Sequence, residues 1–164
     1  MAAFLGQGLP AREGDVPAPF RDVVRAGWVL DDGALVLAEL RSGYVGAGRS
    51  GFTDVIHYEA TVNGRGMTDY DLPRGGPERA RTLLCRSVGY ARPALAAVPQ
   101  GCEWPVLAYV SLSEGGSTDD LLTAHVTFCT ERPGVAPYVA DLESCREALM
   151  ELSAPRSGFD GPGR

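Results

Sequence analysis

TDVIHYEATV, residues Thr53 to Val62, alternates in polarity from Ile56 onward. In an extended chain Ile56, Tyr58, Ala60 and Val62 line one face, and Val55, His57, Glu59 and Thr61 the other. β-branched and aromatic residues favour a pleated, half-buried surface, so the stretch reads as a strand. Asn63-Gly64 behind it is a hairpin turn dipeptide. Met67 to Leu72 would then be the returning strand, short and acidic.

Upstream, Trp28 to Leu30 and Ala34 to Leu40 are apolar runs around Asp31-Asp32-Gly33, which predicts a further hairpin. Downstream the period changes. Pro77 suits a first helical position and Glu78 complements the helix dipole. Ala80, Leu84, Val88, Ala91 and Leu95 then make one apolar stripe. Pro93 should kink or split that helix. Val106 to Leu112 and Leu121 to Thr130 read as strands joined by SEGGSTDD. Tyr138 to Ser153 reads as a closing helix with Val139, Leu142, Cys145, Leu149 and Leu152 inward. The order β-β-β-β-α-β-β-α predicts an α+β fold, an antiparallel sheet of about six strands with two helices packed on one face.

At 164 residues the chain is one domain in length, able to bury a core without disulfides or metal. Glycine and proline crowd both ends, which predicts flexible tails over 1–20 and 155–164 around a single domain at 21–154. Net charge is −6 and every cation is arginine, a poor balance for binding nucleic acid. No apolar run approaches the ~18 residues that span a bilayer. MAAFLGQGLP has neither the basic nor the long apolar region of a secretory signal. The reading is soluble and cytoplasmic. Cys85, Cys102, Cys129 and Cys145 follow no metal or redox spacing and read as small, reduced hydrophobes.

Gly46 to Gly51 matches G-x-G-x-x-G, and Gly43 to Ser50 resembles a phosphate-binding loop with Arg49 in place of lysine. Both motifs need a helix to follow, and the alternating TDVIHYEATV denies them one. The glycine loop therefore reads as a connection between strands.

Chemistry would have to come from the two histidines. His57 and Glu59 share a strand face, and His125 lies among Thr123 and Thr127 on the polar face of another strand. If the strands share a sheet, the three form either an acid–base set or the two-histidine, one-carboxylate ligand set of an iron site. Binding would come from residues 74–92, where Arg74, Arg79, Arg81, Arg86 and Arg92 face only Glu78. Arg79 and Arg86 share one helix face, suited to an acidic partner or, as a solvated face, to pairing with Asp69, Asp71 and Glu78. Tyr44, Arg49 and Tyr70 are further binding candidates, while Trp28 and Trp104 should pack at the rim of the core.

No catalytic motif is complete. The leading expectation is a small cytoplasmic accessory protein, chaperone-, immunity- or adaptor-like, without chemistry or cofactor of its own. It would bind a protein partner or small ligand through the open sheet face or the arginine helix, and could form a homodimer. The alternative is a small metabolic enzyme, a cyclase, isomerase or metal-dependent oxygenase using His57, Glu59 and His125 with a divalent metal such as iron.

Overall fold

The computed structural model describes residues 16–116 and 119–154. Residues 1–15 of the expected N-terminal tail and all of the expected C-terminal tail, 155–164, lie outside the described residues. Within 16–20, Val16 and Phe20 are already buried, and helix α1 (Ala18–Ala26) has begun. Its prolines explain the early start, because proline in the first turn presets φ and forfeits no bonded N–H.

The predicted hairpin is present. β1 (Trp28–Asp31) and β2 (Ala34–Leu37) pair antiparallel across Asp32 and Gly33. Both turn residues have positive φ, 49° and 76°, the turn geometry whose twist matches the flanking strands. β2 ends at Leu37, where the chain passes directly into helix α2 (Ala38–Gly43).

TDVIHYEATV is the main correction. Val55–Val62 forms helix α3, not a strand. Asp54 caps it by accepting the His57 N–H at 2.9 Å, and Asn63 closes its other end. Six residues of the helix are buried, among them Ile56 and Tyr58. Burying a side chain of that size stabilises by about 2 kcal/mol, whereas the helix penalty of a β-branched residue stays below about 0.7 kcal/mol. Tertiary burial therefore wins over local propensity. Asn63-Gly64 ends a helix instead of turning a hairpin, and Met67–Leu72 is not a strand; only β3 (Arg65–Gly66) pairs there.

Helix α4 (Pro77–Ala96) matches its stripe and continues through Pro93, which leaves the Gly89 carbonyl without its helical N–H but has only three helical residues after it. β4 (Val106–Gly116) and β5 (Asp119–Thr130) form the predicted long hairpin, with Val106 opposite Thr130. The C-terminal helix is the second correction. A single 3-10 turn at Leu142–Ser144 precedes strand β6 (Ala148–Ser153), which pairs antiparallel with β4. In ALMELS the two-residue period prevails, and Ala148, Met150 and Leu152 reach the core.

The fold is α+β: among the described residues it has four helices, a two-stranded sheet, and a four-stranded antiparallel sheet of order β3-β5-β4-β6. Ala108, Val110, Val126 and Phe128 pack one sheet face on α4 and α1. Tyr109 and Cys129 pack the other face on Ile56 and Tyr58 of α3, so helices cover both faces rather than one. No helix among the described residues is long and apolar enough to cross a membrane.

Candidate functional site

Glu59 is fully buried on α3, one turn before Asn63. The backbone around it explains why. β2 has an edge facing away from β1, and β5 has an edge beyond its short pairing with β3. Glu59 Oε1 accepts the Leu35 N–H at 2.8 Å, and Oε2 accepts the Thr130 N–H at 2.7 Å. Asn63 Oδ1 accepts the Leu37 N–H at 2.8 Å, while its Nδ2 donates to the Leu35 and Phe128 carbonyls, each at 3.1 Å. Two side chains, four residues apart on one helix face, thus stitch the small sheet to the large one. Unpaired buried backbone groups would otherwise carry a desolvation cost of about 1–3 kcal/mol each.

The expected set of His57, Glu59 and His125 is not assembled. Positions two apart share a strand face, but on a helix they point in nearly opposite directions. Glu59 faces the interior, where both oxygens are committed. His57 faces outward, about half exposed, with Nδ1 2.8 Å from Asp54 Oδ2 and its ring against Tyr138. His125 on β5 lies beside Gly64; a Cβ on that glycine would meet the imidazole at 3.0 Å and the Ala60 carbonyl at 2.9 Å. Partial burial holds the His125 pKa below its ordinary value. Tyr109, Ser111, His125, Thr127, Tyr138 and Leu149 line a shallow, mixed-polarity cleft of about 340 Å³ on this sheet face. Among the described residues no group of three histidine, cysteine, aspartate or glutamate side chains could hold a metal ion.

The arginine helix is not an open cationic face either. Arg79 is 2 % exposed and spends its guanidinium inward, donating to the Leu122 carbonyl at 2.7 Å, the Pro73 carbonyl at 3.0 Å and the Asp69 carboxylate. Arg86 binds Asp71 through both terminal nitrogens and the Thr68 carbonyl at 2.9 Å. That fork pulls the Asp71 carboxyl down to about 2. These arginines hold the 68–73 segment against α4, with the acidic partners named by the sequence. Tyr70, between them, is 95 % exposed.

Arg49 donates to the Phe52 carbonyl within its own loop, and Tyr44 packs edge-on against Tyr58. A helix does follow the glycine loop, contrary to expectation, but the Asp54 carboxylate already occupies its N-terminus. All four cysteines are free; Cys129 is buried, which pushes its thiol up to about 12 and leaves it a poor nucleophile.

The most ligand-like feature lies on the other side of Glu59. Arg132 Nη2 donates to Glu59 Oε1 at 2.6 Å and to the Gly33 carbonyl at 2.8 Å, while Nε donates to Thr130 Oγ1 at 2.8 Å. The guanidinium carbon sits 3.9 Å above the Trp104 ring, within cation–π range. Arg132 and Trp104 form part of an open, largely apolar cleft of about 460 Å³ between the β1–β2 hairpin and the Pro99–Trp104 segment. Leu30, Leu35, Pro99 and Cys102 supply walls; the exposed Glu103 also lines the cleft. Leu30 is 74 % exposed, a large apolar side chain in water at the lip. Sequence reasoning missed Arg132, because a lone arginine after a strand carries no motif. It placed Trp104 at the rim of the core without giving it a role.

No protein-family model matches this chain, and no curated protein and no solved structure is a significant match to it.

Proposed function

We propose that this is a binding protein without chemistry of its own, and that the Arg132–Trp104 cleft is its contact site for a small ligand. One observation carries the reading: an apolar hollow of ligand size, with one cationic side chain at its wall and an exposed leucine at its lip. Ligand pockets are of this kind, mostly apolar with few polar groups that fix orientation. The cleft holds no nucleophile paired with a base; the Cys102 thiol donates to the Trp104 carbonyl. The arginine helix drops out of the proposal because Arg79 and Arg86 are engaged within the fold. The reading places the protein in the cytoplasm, where four unpaired thiols stay reduced.

The alternative enzyme reading keeps one supporting observation, His125 facing the mixed-polarity cleft beside Tyr109 and Tyr138. Native mass spectrometry of protein isolated gently from its own cells separates the two. A bound small molecule should be lost in Leu30→Asp and kept in His125→Ala. The reverse pattern would move the site to His125 and overturn the proposal.

A further inference from the structure

Building on the cleft as a binding site, we infer the chemical class of its occupant: a neutral, apolar molecule bearing one carbonyl-type oxygen, received by Arg132 Nη1. The donors of Arg132 and the charges around it select that class. Nε and Nη2 of Arg132 are taken by Thr130, Gly33 and Glu59. Nη1 donates to no described residue, although the side chain is only 12 % exposed and lines the cleft. A guanidinium in that state retains two N–H donors.

Charge then selects among acceptors. Glu59, in contact with the guanidinium and buried, offsets its positive charge. Glu103 in the lining adds a negative one, and the chain as a whole is acidic. An anion would approach a site with no net positive charge, through a negative field. A pure hydrocarbon would cover Nη1 and leave its protons without an acceptor, which disfavours it. A ketone, ester or amide oxygen satisfies the donor at no charge cost, while the remainder of the molecule packs on Leu30, Leu35 and Trp104.

Nile red, a neutral apolar dye with a carbonyl, reports on the cleft directly. Three competitors of matched size then read the class: 4-phenylbutan-2-one, n-butylbenzene and 4-phenylbutanoate. The dye should bind saturably to the wild-type protein and not to Leu30→Asp, with Tyr70→Asp as an unaffected surface control. The ketone should displace it at about tenfold lower concentration than either rival, the discrimination of one hydrogen bond. Equal displacement by butylbenzene would show that Nη1 takes no part, and tighter competition by the carboxylate would make the site an anion site. Either result overturns the ligand class and leaves the cleft standing. Dye binding that does not saturate, or that survives Leu30→Asp, overturns the cleft and this inference with it.

Discussion

Glu59 shows how a residue type that suggests chemistry can serve the backbone instead. Its carboxylate accepts from Leu35 N, Thr130 N, Thr130 Oγ1 and Arg132 Nη2, so no oxygen remains for a substrate proton. Removing the charge from one side of a buried pair strands the other. Glu59→Gln should therefore lower stability by about 3 kcal/mol in urea unfolding, whereas His57→Ala, on an exposed side chain, should change it by less than about 0.5 kcal/mol. Comparable effects of the two substitutions would contradict the assignment. The sequence displays Glu59 as a carboxylate beside a histidine. The Leu35 and Thr130 amides that require it lie 24 and 71 positions away, and no local pattern exposes such a need.

At the level of elements, errors and successes have a common physical origin. The β1–β2 hairpin and α4 were legible because turn chemistry and a polar–apolar stripe each demand a single structure. TDVIHYEATV was not, because six of the eight residues of α3 are buried and its outward face is only His57 and Thr61, too narrow to mark a 3.6-residue period. Signals for a helix were nonetheless present at its ends: Asp54 suits an N-cap, and Asn63-Gly64 suits a C-terminus. ALMELS failed conversely, since Leu149 and Leu152 fit a helical spacing that pairing with β4 overrides. The N-cap gives a test. Asp54→Ala should cost about 1 kcal/mol, and Asp54→Ser should recover most of it. Equal losses in thermal unfolding would show that the cap is not what anchors α3.

For the whole molecule, the perturbed groups that titrate below neutrality pull stability in one direction. Asp31 is held below the usual carboxylate range by the Tyr58 hydroxyl and Arg41, Asp54 by the His57 N–H, and Asp71 by Arg86. A carboxylate whose folded pKa is depressed stabilises fully above its unfolded value near 4 and ceases to do so as pH falls toward 2. His125, whose pKa is also lowered, favours the folded state at neutral pH and loses that preference as pH drops below 6.5. The thermal midpoint should thus be highest near neutrality, fall slightly below about pH 6.5, and fall more steeply below about pH 4. His125→Phe should erase the first decline only, and Arg86→Leu should soften the second. A midpoint constant from pH 7 to 3 would refute the scheme. The fold class and the acidic partners of Arg79 and Arg86 were open to sequence reasoning. The Arg132–Trp104 cleft was not, since it joins segments from Leu30 to Arg132 that only the folded chain brings together.

The stitch between the two sheets also sets a clock. Its bonds span 24 to 73 positions from Glu59 and 65 from Asn63 to Phe128. Contacts so distant along the chain form only after the intervening loops have closed, late on the folding route. Interactions absent from the transition state slow escape from the native state and leave the refolding rate nearly untouched. Glu59 and Asn63 therefore act as a latch: they determine how long the protein remains folded rather than how quickly it gets there.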